Sequence, residues 1–290
     1  VVFLCGPQGV AQFNALEKVA PHYASRAFEH GGYYVMRDGW ERNSSHVVID
    51  CGPHGSANCG HAHADALSFE LALNGRPVFV DPGTYTYTAS PHERDAYRSS
   101  LVHNTAIIDG LGSSEPDGPF HWRRIAATAV QTWRTDADGR GAYFEGSHNG
   151  FEHLSPPVRY RRSIRFEPDA EQLFVIHDEF SSAGPHTATL TFQCAPGVDV
   201  RQSGAELFLS RGGEAVCRLS FKSQPDVRGT IELDDSWVSP AYGARAAARR
   251  CRYVAACAPG ITALTTTISR STAVAAAQHA AEQAALTEAR

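Results

Sequence analysis

The feature that most constrains this chain is its punctuation. From Gly31 onward, short runs rich in Val, Ile, Phe, Tyr and Thr are cut at close intervals by Gly, Pro, Asn or Asp. They read GGYYVMRDG, HVVIDCG, LSFELALNG and RPVFVDPG, then TATLTFQCAPG, AELFLSRGGEAVCRLSF and RGTIELDDSWVSP. Such runs have the length and the β-branched and aromatic content of strands. Asn74-Gly75 predicts a two-residue hairpin turn between LSFELAL and RPVFV. Pro168-Asp169 predicts the turn of a second hairpin within YRRSIRFEPDAEQLFVIHDEF, and Arg211-Gly212-Gly213 a third tight turn. About 200 residues of this spacing, closing on ITALTTTI, predict a mainly β protein built as one large antiparallel β-sandwich.

The flanks differ in texture. Residues 1–30 include AQFNALEKVAPHYASRAF, a weakly amphipathic helical pattern interrupted at Pro21, and predict a short N-terminal helical connector or the tail of an upstream domain. Residues 31–270 form the sandwich domain. Residues 271–290, STAVAAAQHAAEQAALTEAR, predict an Ala-rich helical or frayed tail, because propensity is high but the apolar face is thin. The chain opens with Val1 and its single methionine is Met36, which points to a piece of a longer or processed product. No charged-then-apolar leader pattern opens it. No apolar run reaches the roughly 18 residues of a membrane span.

Twenty-six Lys and Arg against 31 Asp and Glu give a formal charge of −5, which disfavours nucleic acid as a partner. A local basic cleft stays open, because Arg123, Arg124, Arg159, Arg161, Arg162 and Arg165 are clustered. Seven cysteines without a CxxC pair argue against a zinc ribbon and a dense disulfide scaffold. Cys194 and Cys217 lie in strand-like runs and predict buried thiols.

The chemistry is concentrated between residues 59 and 110. His61, His63, Asp65, Asp81, Tyr85, Tyr87, His92, Arg94, Arg98 and His103 are threaded between the apolar runs LSFELAL, PVFV and TAII. Imidazoles and carboxylates bind metals and move protons, and guanidinium groups neutralise carboxylates. If His61-Ala-His63-Ala-Asp65 is a strand, its alternate side chains address one face. Three polar groups on one strand face are costly unless something pairs with them. HxHxD strings also occur in dinuclear hydrolases of the metallo-β-lactamase type, but position 66 here is Ala where a further ligand is needed. Cupins place a Glu three or four residues after HxH, whereas Glu70 follows His63 by seven.

Taken together, GHAHADALSFELALNGRPVFVDPGTYTY, then Arg94, then YRSSLVHNTAIIDG, resembles the heparinase II/III-like polysaccharide lyases, which include related alginate lyases. The resemblance implies that the second histidine of HxH, the aspartate of VDxG and the histidine of HNT hold one divalent metal, most often zinc, in a mainly structural role. Here these are His63, Asp81 and His103. It further implies that His61 faces the sugar and serves β-elimination at a uronic acid, as the base that takes the C5 proton or as the group that neutralises the carboxylate. Tyr87 and Arg98 are expected to touch substrate, and Asn104 to organise the turn. The family carries an N-terminal α-helical toroid that supplies the opposite cleft wall, and residues 1–30 hold nothing of that kind. The expectation is therefore one half of a lyase for acidic polysaccharides, weakly active by itself, in the periplasm or secreted by a bacterium. Two other readings stay open: a carbohydrate-binding or structural module that keeps its metal for folding, and a metal-dependent hydrolase.

Overall fold

A computed structural model describes residues 2–137, 139–224 and 227–270. The Ala-rich tail lies outside the described residues. Nearly all the described secondary structure is antiparallel β, in two packed layers.

One layer is an eight-stranded sheet. From edge to edge its strands are Asp199–Ser203, Glu206–Arg211, Glu214–Ser223, Gly260–Arg270, Gln172–Ser182, Val158–Phe166, Ala142–His148 and Thr128–Thr135. The other layer combines two sheets. A five-stranded meander runs through Arg26–Phe28, Tyr33–Arg37, His46–Asp50, Phe69–Leu73 and Arg76–Phe79. A four-stranded sheet has the order Gly229–Ala241, Ala244–Cys257, His186–Gln193 and Ala106–Ile108. Main-chain bonds from Val80 to Gln193 (3.0 Å) and from Ala195 to Val78 (2.9 Å) join these two sheets edgewise.

The period-two pattern explains the layering. Along Ala142–His148 every second residue is buried, and Phe144 and Ile164 point inward from neighbouring strands. A single apolar core fills the space between layers. Tyr34 meets Phe144 at 5.0 Å between centroids, Phe221 stacks on Tyr253 at 4.7 Å, and Phe69 meets Phe192 at 6.2 Å. Aromatic pairs of this kind contribute beyond the area they bury.

The three predicted hairpins are present. Asn74 and Gly75 both have positive φ, 51° and 73°, as a primed turn requires. The predicted N-terminal helix is displaced: the helix spans Val2–Asn14, with a non-helical Gly6 before Pro7, and the pattern after Asn14 is not helical. A second helix, Pro91–Arg98, went unpredicted although its signals are local. Ser90 caps it by accepting from the Glu93 amide at 3.3 Å, and proline occupies the first turn.

Five of the six clustered arginines are paired with carboxylates, while Arg159 lines a surface cavity with Arg161, Glu152 and Glu179. Arg123 and Arg124 pair with Glu115, Arg161 with Glu145 and Glu179, and Arg165 with Glu167. Arg162 is wholly buried against Asp178. All seven cysteines are free thiols, Cys194 and Cys217 buried as expected.

Candidate active site

The HxHxD segment is not a strand. Residues 61–68 form an irregular loop, and their backbone groups bond outside any ladder: Ala64 N–H to Arg98 O (2.7 Å) and Leu67 N–H to Asp50 O (2.9 Å). Leu67 also holds a positive φ of 59°. His61 and His63 still diverge in environment, through loop geometry rather than a pleat. His61 is exposed and His63 mostly enclosed.

Behind the loop, His63 Nδ1 lies 3.1 Å from His103 Nε2, and Asp81 Oδ2 lies 3.0 Å from His103 Nε2 and 3.9 Å from His63 Nδ1. Asp65 completes a set of four donors whose ligand atoms all lie within 4.8 Å of one another. Two of these donors are aimed by a second contact. His103 Nδ1–H donates to the Ser99 carbonyl at 2.7 Å, which leaves Nε2 for the cluster. Asp81 Oδ1 accepts from the Gly83 amide at 2.7 Å, so Oδ2 is the free oxygen. The Asp-Pro-Gly turn therefore caps itself through one carboxylate oxygen and turns the other to the two histidines.

Electrostatics reflect this crowding. Burial alone would raise the Asp81 carboxyl, but the His103 and His63 imidazoles outweigh it and hold it far below the usual range. Burial disfavours the His103 cation, yet the Asp81 carboxylate pushes the imidazole up to about 9. Asp65 is pushed up to about 7, first by burial and then by Asp50 and Asp81. Those carboxylates, with Glu70 and Tyr33, line a cavity of about 220 Å³ that also reaches His103. Asp65 stands out in the sequence as the last residue of the HxHxD string, whereas Asp50 and Glu70 join it only in three dimensions.

The scaffold beneath is a buried polar network. Asn104 donates to the carbonyls of Phe69 (2.7 Å) and Val80 (3.1 Å) and accepts from the Gln193 amide (2.6 Å), organising the turn as expected. Arg162 donates to the carbonyls of Leu67 (2.9 Å) and Asn104 (2.7 Å) while gripping Asp178. It thereby ties the eight-stranded sheet to the loops that carry His63 and His103.

On the outer side, His61 Nδ1 is 3.2 Å from the Tyr87 hydroxyl. Tyr85 and Tyr87 share no strand face, since residues 81–90 are irregular. Tyr85 stacks on Tyr97, while Tyr87 lies beside His61. Arg98 does not reach this surface. It is fully buried, clasped by Asp95 (2.7 Å) and the Gly118 and Pro119 carbonyls, and stacked over Trp122. Arg94 is equally buried, bonded to the Gly60 and Pro119 carbonyls, with its guanidinium 4.9 Å from the Tyr87 ring centre. The substrate contact expected of Arg98 is thus replaced by a structural role: its guanidinium holds the Gly118–Pro119 turn, and its main-chain carbonyl accepts from Ala64 in the loop that carries His61.

Residues 20–276 match the family model described as heparinase II/III-like, C-terminal. The chain belongs to the heparinase II/III-like family. This heparinase-like domain is 23% identical over 232 residues to a heparin-sulfate lyase of Bacteroides stercoris, covering 79% of this chain and 32% of that protein. It is 33% identical over 93 residues to a heparin-sulfate lyase of Pedobacter heparinus. Its fold superposes on a heparinase III structure with a TM-score of 0.72 at 20% identity, covering 90% of this chain and 38% of the other. A heparan sulfate lyase structure from Pedobacter heparinus gives 0.68 at 18% identity. The heparinase-like domain thus spans about a third of the length of the relatives it matches.

Proposed function

We propose that this domain is one wall of a polysaccharide lyase that cleaves uronate-bearing acidic glycans by β-elimination, with heparan sulfate the first candidate from the names of its relatives. The observation that carries the reading is the placement of His61. It stands exposed at the surface of a loop whose next histidine is turned inward onto Asp81 and His103.

In the reaction, a base removes the proton on C5, which is acidified by the adjacent carboxylate. The electron pair forms the C4–C5 double bond, the C4–O bond breaks, and the departing oxygen takes a proton. As base, His61 donates Nδ1–H to the Tyr87 oxygen and takes the C5 proton on Nε2. As neutraliser, protonated His61 donates to the substrate carboxylate. Either role uses the same Tyr87 contact, so Tyr87 orients the imidazole and touches substrate.

One divalent cation, most fittingly zinc, is proposed at His63, Asp81 and His103, with Asp65 the nearest further donor. Two imidazoles and a carboxylate suit zinc, and carboxylates crowded this closely are relieved by a cation. Its contribution is structural: it draws together loops from separate strands. In this reading an α-helical domain supplies the opposite wall and the second proton-transfer group, so the domain by itself turns over weakly. A periplasmic or secreted location is proposed with it, because that is where bacteria meet such glycans.

The test is the ultraviolet absorbance of unsaturated uronate produced from heparan sulfate, alginate and other uronate glycans by the natural gene product. No absorbance across the panel would leave the metal-holding binding module as the better description.

A further inference from the structure

Beside His61 the domain presents three piled aromatic rings. Phe120 and Tyr242 both lie nearly parallel to Tyr87, with centroids at 5.9 and 5.8 Å and planes at 24° and 25°. His61 meets Tyr87 edge-on at 5.2 Å. Tyr242 is the outermost of the three, 64% exposed. It sits at the tip of the hairpin formed by Gly229–Ala241 and Ala244–Cys257, far along the chain from the His61 loop.

That tip is fixed. The Gly243 amide donates to Tyr85 O at 2.7 Å, and the Ser239 amide donates to Pro82 O at 2.7 Å. The fit is close: a Cβ on Gly83, whose φ is +78°, would stand 2.2 Å from Ser239 O. The Asp-Pro-Gly-Thr-Tyr segment that carries Asp81 is therefore also the dock for the hairpin. Arg245 reinforces it, lying over Tyr85 at 5.5 Å and over Trp237 at 4.7 Å and pairing with Glu93.

Although Tyr242 stacks on Tyr87, most of its ring stays open to a ligand. A tyrosine held on a fixed backbone offers rigid, amphipathic area at low entropic cost, which suits a ligand with apolar and hydroxylated sides. We propose that Tyr242 is a positioning residue: its ring takes the C–H face of a pyranose in the glycan, seating the neighbouring uronate against His61. The ligand class rests on the lyase reading above, whereas the platform itself rests on the geometry.

The experiment measures binding of a size-defined heparan-sulfate oligosaccharide to the domain and, in parallel, elimination kinetics of the natural gene product. Wild type, Tyr242→Ala and Tyr242→Phe are compared. Tyr242→Ala is expected to weaken binding and raise KM by roughly three- to tenfold with kcat little changed, the size of one lost aromatic face. Tyr242→Phe should behave as wild type, and the melting temperatures of all three should agree. Equal affinity of Tyr242→Ala and wild type, or no binding by wild type, overturns the proposal. Tyr242-dependent binding without elimination would instead defeat the lyase reading and leave the platform standing.

Discussion

His63 Nδ1 and His103 Nε2 approach to 3.1 Å although the residues lie 40 positions apart, and the free oxygen of Asp81 faces both. Nothing in a β-sandwich requires two imidazoles to converge on one carboxylate. Several irregular backbone hydrogen bonds hold it in place, and the cation proposed above would give the arrangement its physical purpose.

Removing a ligand should therefore cost metal and stability together. Zinc content of purified His63→Ala and Asp81→Ala should fall from about one per chain to near zero. Thermal stability should drop by the linkage contribution, about 3 kcal/mol at free metal roughly a hundredfold above Kd. Metal analysis beside calorimetry checks this, and zinc-replete His63→Ala would refute the ligand assignment.

The brace beneath the site predicts a different signature. Arg162→Met leaves the buried Asp178 carboxylate without its cation, with only the Tyr160 hydroxyl still donating to it, and should destabilise the domain by about 3–5 kcal/mol. It also releases the Leu67 and Asn104 carbonyls, so zinc affinity should weaken although no ligand is touched. Adding Asp178→Leu should recover much of the stability but not the affinity. Denaturant unfolding and zinc titration of the single and double variants separate the two effects.

Gly83→Ala tests the shared dock. The substitution strains a φ of +78° and drives a methyl group into Ser239 O, at a cost of roughly 1–3 kcal/mol. Because Asp81 sits two residues away, zinc affinity should fall as well. Ala at the exposed Gly118, also at positive φ but with open space around its Cβ position, should leave zinc affinity unchanged.

Acid sensitivity should come in part from His148. Burial, then the Arg162 cation, pushes this imidazole down from 6.5 to about 3, and its Nδ1 accepts from the Gly150 amide at 3.1 Å. The unfolded chain thus binds a proton that the folded chain refuses between these values. Stability rises with pH across that window, by about 1.4 kcal/mol per unit, and is flat above it. His148→Phe should reduce the slope between pH 4 and 6 by about one proton, read from urea unfolding at several pH values.

Much of this molecule was legible in its residues because the signals were local. Asn74-Gly75, Pro168-Asp169 and Gly212-Gly213 set hairpins through their own backbone preferences. The family strings placed His63, Asp81 and His103 in order along the chain. What escaped depended on distant partners. HxHxD suggested a strand, but Arg98 O and Asp50 O capture its amides and hold it as a loop. Arg162 looked like one of a surface cluster until Asp178 and two carbonyls claimed it. Tyr242 carried no signal, since only the fold brings a turn residue from the last hairpins beside His61. Helix Pro91–Arg98 is the exception, because its Ser90–Glu93 cap is a local signal.

The division of labour between neighbouring histidines is most directly tested by His61→Ala in the natural gene product. Elimination of heparan sulfate, followed by the absorbance of unsaturated uronate, should fall by at least about a hundredfold, as for loss of a proton-transfer group. Zinc content and melting temperature should stay at wild-type values. Unchanged turnover in His61→Ala, or loss of its zinc and fold, would contradict the assignment.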